Sequence, residues 1–378
     1  MIRLNKYHLI ILATILLLAS CKRNEQDKKH PSATGNEYTV KYAQGFSVTK
    51  SADYTQIIVH DPWDTTKILQ KYVLVDKSKQ LPAKLPEGTL VRTPLSRVVA
   101  YTSVHCASLQ ELQSVDIIKG VCQPNYINLQ SIKDGVANQS ILDLGSEFTP
   151  NVERIIELNP EAIFVAPVSG SSPGKIENLN IPIIQTPDYM EYTALGRGEW
   201  IRFYSLFIEK EALADSLFNV TEKNYNEIKN KIASVKERPV VLTDMMYQNV
   251  WYVPGGKSFI ANMFNDAGAS IPWNDNESNG SLNLSFEAVL DRAEKANIWL
   301  IKYNNPTDLT YQGLEREKKG YSYFDAFKNK NVYGCNMGKI TYYEDLPIHP
   351  DWILKDLAAL FHPDLFSDYQ LKYYKKID

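Results

Sequence analysis

Two glutamates stand at matching positions in two similar segments of this chain. In PNVERIIELNPEAIFVA, residues 150–166, Glu153 opens a helical pattern and Glu157 follows four positions later. In SFEAVLDRAEKANIWLI, residues 285–301, Glu287 and Asp291 repeat that spacing, and each segment then runs into an apolar strand. A carboxylate in the first turn of a helix interacts favourably with the helix dipole, by about 0.3–1 kcal/mol. A carboxylate at an exposed rim can instead steer and orient a charged partner. Catalytic constellations are harder to assemble. The six histidines are scattered, and no His and carboxylate cluster has metal-ligand spacing. PGGKS, residues 254–258, resembles the end of a phosphate-binding loop but lacks that motif's first glycine, so it reads as a turn before a helix. No G-x-S-x-G elbow or H-E-x-x-H pair occurs. The expected chemistry is therefore recognition, with no enzyme activity, no resident metal and no cofactor.

The elements that position these residues follow from the apolar rhythm. With 378 residues the chain exceeds one ordinary core. Short β-branched runs broken by AQG, PWD and PEG mark 38–95 as a β-rich extension. From Ser96 onward, strands such as RVVAYT, IIKGVC, AIFVAP and IPIIQT alternate with helical patterns, which implies parallel β-α-β units and a first lobe over 96–195. Residues 199–235 carry apolar positions at helical spacing without proline or glycine, so a helical backbone is expected over 196–237, with a break near Lys210 left open. The alternating pattern then resumes as a second lobe over 238–378. The expected fold class is α/β: two Rossmann-like lobes joined by one long helix, with an extra N-terminal β-rich segment.

The first twenty residues have the layout of an export signal, with Arg3 and Lys6 ahead of an apolar run too short to span a bilayer. The run ends in Leu18-Ala19-Ser20-Cys21, which resembles the bacterial lipobox; the resemblance implies acylation at Cys21, a tether over 21–37 and a membrane-anchored lipoprotein on the periplasmic or extracytoplasmic side. The other cysteines, Cys106, Cys122 and Cys335, are odd in number and imply no disulfide framework, although Cys106 and Cys122 could pair. A net charge of -3 without a long basic run argues against nucleic acid as a partner.

Five segments in order carry a family resemblance: RVVAYTSVHCASLQEL, LGSEFTPNVERIIELNPEAIFV, GRGEWIRFYSLFIEKEALADSL, WYVPGGKSFIANMFNDAGA and HPDWILKDLAALFHPDL. Together, behind a lipobox, they resemble the helical-backbone class of ABC-importer substrate-binding proteins, which captures ferric siderophores, haem and cobalamin. The resemblance implies a monomer with a shallow cleft between lobes, and an ABC permease dimer with its ATPase as partner. It also implies that Glu153 and Glu287 dock on that permease. TSVHCAS replaces the Ser-Pro turn more usual in the family.

In open α/β folds ligands sit at the carboxyl ends of the strands. The residues expected there are Thr102, Ser103, His105, Tyr126, Phe148, Ser169, Tyr247, Trp251, Tyr252, Trp273, Tyr303 and Tyr343. His105 reads either as a helix-start residue or as an axial ligand to haem iron. Aromatic walls suit a large, flat chelate whose metal is already wrapped. The ligand expected is an iron complex, siderophore or haem; the alternatives are a corrinoid, or a scavenging lipoprotein with no permease.

Overall fold

The computed structural model describes residues 36–378. Cys21, the signal segment and nearly all of the tether lie outside the described residues. No helix among the described residues is long and apolar enough to cross a membrane.

The extension forms a five-stranded sheet in chain order: Asn36–Tyr38, Phe46–Lys50, Thr55–His60, Ile68–Asp76 and Thr89–Thr93. Neighbours are antiparallel except the last pair, which is parallel. Alternate residues Phe46 and Val48, and Ile57 and Val59, face inward, as the period of two requires. This sheet has no core of its own. Its inner face joins the first lobe's core through Trp200 and Phe203, which Phe46 meets edge-on at 4.9 and 5.4 Å.

The first lobe is a five-stranded parallel sheet ordered Ile183–Gln185, Ala162–Val165, Val98–Ala100, Ile118–Val121, Leu142–Asp143. Its central strands are buried on both faces, which is why they read as unbroken apolar runs rather than alternating ones. The second lobe has three parallel strands, Val241–Thr243, Ile298–Tyr303 and Val332–Asn336, closed by the antiparallel strand Lys375–Lys376. VWYVP, expected to continue the parallel pattern, lies instead in a separate antiparallel sheet of Met246–Tyr247, Val250–Pro254 and Ser281–Leu284.

The stretch 199–235 is not one rod. A helix Ala194–Leu206 ends in a turn and a second helix, Glu211–Ile232, folds back along it. Glu209 takes a left-handed backbone at φ 56° to make that turn. Arg202 locks the pair, meeting Asp215 at 2.8 Å with its guanidinium 4.8 Å over the Phe218 ring. The 22 residues of the second helix span about 33 Å. Ala214 and Phe218 lie in the first lobe's core, whereas Tyr225 and Ile232 lie in the second lobe's, so this helix is the bridge. The helix Pro350–Phe361 runs beside it, with Asn224 donating to Asp351 at 3.0 Å.

A loop latches the extension to this helical pair. The backbone N–H groups of Lys41, Tyr42 and Ala43 donate to the buried Glu199 carboxylate at 2.6–3.0 Å, which also accepts from Arg202 at 2.6 Å. Those of Gln44 and Gly45 donate to Glu191, joined by the Trp200 indole at 2.9 Å. Gly45 is required: a Cβ there would stand 2.6 Å from the Trp200 ring. Cys106, Cys122 and Cys335 are free, buried thiols, one in each of three apolar clusters, so the possible Cys106–Cys122 bond is absent.

Candidate ligand-binding cleft

The first lobe's contribution begins at Thr102, whose hydroxyl caps the helix Ser103–Glu111 by accepting from the His105 N–H. His105 returns the bond, its Nδ1 accepting from the Thr102 N–H at 3.2 Å, while Nε2 lies 2.8 Å from the Thr186 hydroxyl. Both ring nitrogens are thus occupied, the residue is buried, and burial alone pushes its pKa down to about 3. His105 is a helix-start residue and offers no lone pair to haem iron. Ser103 is half-buried in the first turn of the same helix.

Above the carboxyl ends of strands Val98–Ala100 and Ala162–Val165 lies a pocket of about 560 Å³. Phe148, Pro167 and Val168 form apolar wall, Glu147 and Gln185 add polar groups, and Glu153 stands at its margin. Burial raises the Glu147 pKa, and the Tyr101 hydroxyl in the pocket is buried without a hydrogen-bond partner. Ser169 is exposed and is not part of this lining, although Ser171 and Ser172 of its loop are. Tyr126 and Phe148 are the first lobe's exposed aromatics from the expected set, at 67% and 72%.

In the second lobe the expected aromatics divide. Tyr247, Tyr252 and Tyr343 are exposed. Trp251 is fully buried among Phe286, Trp299, Tyr321 and Phe324, its indole donating to the Thr243 carbonyl at 2.9 Å; it is core and lines no cleft. Trp273 is buried in the same cluster. Tyr303 is buried over Gly334, and its hydroxyl accepts from the Leu309 N–H at 3.1 Å. These three, with His105, are corrected from binding residues to structural ones: large apolar rings at strand ends were drawn inward by burial.

Charged residues absent from the expected set gather between the lobes. Lys302 meets Asp244 at 2.8 Å at the end of the second lobe's parallel strands. Burial is the strongest single influence and works against the ammonium, but the Asp244 carboxylate together with Tyr342 and Tyr343 raises its pKa. Arg197, on the helix Ala194–Leu206, reaches the other way, its guanidinium 5.6 Å from the ring centre of Phe259 in the second lobe. Asp188 is buried beside it, and burial raises its pKa to about 6 against the pull of Arg197. The lobes also touch directly: Asn128 donates from its side chain to the carbonyls of Met337 and Ile340 at 2.6 and 3.1 Å, and its N–H donates to Glu344 at 2.8 Å. Asp244 ends the run PVVLTD, where an acid closing a buried strand was a readable signal.

Glu153 and Glu287 both occupy first turns, of Val152–Leu158 behind Asn151 and of Phe286–Ala293 behind Ser285. Both side chains are exposed, and neither joins an ion pair among the described residues.

Comparison with known proteins agrees with this architecture. The family model described as periplasmic binding protein matches residues 98–337. An uncharacterized lipoprotein of Methanocaldococcus jannaschii is 28% identical over 324 residues, covering 81% of this chain and 76% of that one. A second uncharacterized lipoprotein of that organism is 24% identical over 379 residues, covering 96% and 93%. Among solved structures, the molybdate periplasmic binding protein of Haemophilus influenzae aligns with a TM-score of 0.60 at 18% identity, covering 74% of this chain and 90% of that one. The periplasmic heme-binding protein of Roseiflexus sp. RS-1 aligns at 0.56 and 18%, covering 71% and 99%. The structural likenesses establish a shared fold, and the family match spans most of both lobes; with two α/β lobes and a bridging helix, the chain belongs to the periplasmic binding protein family, a class of solute-binding proteins.

Proposed function

We propose that this protein captures an iron complex, a siderophore or haem, and delivers it to an ABC-transporter permease while anchored to the membrane through a lipid on Cys21. The observation that carries the reading is the set of large aromatic rings left exposed on both lobes: Tyr126 and Phe148 on one, Tyr247, Tyr252 and Tyr343 on the other. Exposed rings of this size are costly to hydrate and suit a broad, partly apolar cargo. Wrapped-metal cargo also fits a chain that shows no group of three or more potential metal-ligating residues among the described residues. Glu153 and Glu287 are the docking residues in this reading, two unpaired carboxylates on equivalent helix starts, suited to steering encounter with a basic surface.

The test is a calorimetric titration of the soluble form lacking residues 1–21 with haemin, ferric siderophores and cobalamin. Saturable binding of an iron complex without turnover is expected. Heats indistinguishable from dilution for every iron complex would remove the reading. In cells, changing Glu153 and Glu287 together to alanine should cut uptake at least about tenfold while leaving ligand affinity within about twofold, because rim charges act on encounter more than on grip. Uptake equal to wild type would remove the docking roles.

A further inference from the structure

The second lobe carries a cavity of its own. It has a volume of about 610 Å³, within the range of small-molecule sites, and every residue lining it belongs to this lobe. None of the exposed tyrosines assigned to cargo, Tyr247, Tyr252 or Tyr343, lines it. It lies between the loop leading into the helix Tyr311–Glu317 and the edge strand Lys375–Lys376, beside the carboxyl end of Val332–Asn336. Tyr303, Leu309, Ile340 and Ile377 supply apolar wall. Gly334 lets that wall close, since a Cβ there would stand 2.8 Å from the Tyr303 ring and 3.3 Å from Ile377.

The charged groups gather at one place on its rim. Lys375, paired across the strands with Gly334, and Lys339 converge on a single carboxylate, that of Asp308. Lys339 meets it at 2.7 Å, whereas Lys375 stands at 3.8 Å, beyond hydrogen-bond distance. Two ammoniums on one carboxylate leave one positive charge uncompensated. The other charged lining residues do not cancel it: Lys372 is paired with Asp345 at 2.9 Å, and Lys376 and Asp378 offset each other in sign.

We propose that this cavity is a second ligand site and that it takes a small amphipathic acid. Its apolar chain lies against Tyr303, Leu309, Ile340 and Ile377, and its one ionised carboxylate is held by Lys375 and Lys339. Lys375 makes the first contact, because it gives up no hydrogen bond in turning to a new oxygen. A neutral chain lacks that contact, and a bare anion lacks the wall. The side chains of Lys375 and Lys339 are 76% and 46% exposed, so their charges set selectivity more than affinity. This site is independent of whether the cleft takes an iron complex.

The test titrates the soluble form lacking residues 1–21 with octanoate, octanol and acetate, following the methyl NMR signals of Leu309, Ile340, Leu371 and Ile377. Octanoate should saturate with a Kd below about 1 mM. It should shift these methyls together and leave Val168, in the first lobe's pocket, unmoved. Octanol and acetate should each bind at least about fivefold more weakly. The double variant K339Q/K375Q should lose octanoate affinity by about the same factor, the scale of surface charge contacts. Leu309→Trp, which adds bulk to the wall, should weaken octanoate further; should it fail to fold, the lysine variant, changed only at partly exposed side chains, decides alone. The proposal is overturned by any of four results: no saturation by octanoate, equal affinity for octanoate and either of the other probes, unchanged affinity in K339Q/K375Q, or shifts at Val168 without shifts at the four methyl-bearing residues.

Discussion

Adjacent residues Trp251 and Tyr252 show how far side-chain chemistry can be read from type alone. Both sit in the strand Val250–Pro254, yet one is fully buried and the other nearly half exposed, because successive strand residues face opposite sides. The aromatic set was legible in the sequence, but its division into wall and core depended on which face each strand turned outward. His105 and Asp188 were less legible, because their character comes from burial. They also make opposite predictions. The His105 pKa falls from its ordinary 6.5 to about 3, so it contributes stability that is present above pH 6.5 and lost as pH falls toward 3. The Asp188 pKa rises from 3.8 to about 6, so it contributes stability that is present below pH 3.8 and lost as pH rises through 6. Between pH 6 and pH 4 the two nearly cancel. Relative to wild type, His105→Gln should gain and Asp188→Asn should lose up to about 1.4 kcal/mol of unfolding free energy per unit of falling pH. Denaturant melts at pH 4, 5 and 6 check this, and parallel lines for the three proteins would refute both assignments.

At the scale of elements, buried strands were legible because both of their faces pack, which leaves continuous apolar runs. The helix break was not, since 207–210 has neither glycine nor proline and the reversal is made by Glu209 in a left-handed conformation. Nor was the latch at 41–45, which consists of backbone N–H groups meeting two carboxylates more than a hundred residues away. That latch has a measurable weight. Glu199→Ala removes the acceptor shared by three N–H groups and Arg202, and should cost about 3–5 kcal/mol, as for a buried charge network broken on one side. Gly45→Ala should cost about 1–3 kcal/mol by forcing a methyl into the Trp200 ring. Shifts of the urea midpoint measure both; a Glu199→Ala protein as stable as wild type would mean that the loop rests on the helices without holding them.

Across the whole molecule, one helix shares residues with both cores, and this couples the lobes more tightly than a flexible strand crossover would. Bending Glu211–Ile232 breaks hydrogen bonds in its ladder, so ligand-driven closure should be small, with backbone shifts of about 1 Å. Lys223 lies mid-helix with an exposed side chain, and Lys223→Pro should cost about 3 kcal/mol or more through backbone disruption alone. Calorimetry should then show the single unfolding transition of wild type split in two as the lobes lose their common element. A single transition lowered in temperature would place the coupling in the Asn128 contacts with Met337, Ile340 and Glu344 instead. The separate thiols carry a consequence for following such events. Cys106, Cys122 and Cys335 each sit in a different apolar cluster, and burial keeps each one protonated and unreactive. In the soluble form lacking Cys21, alkylation resolved by peptide mass would time the opening of three regions independently, giving the native chain three internal clocks without a dye or an added label.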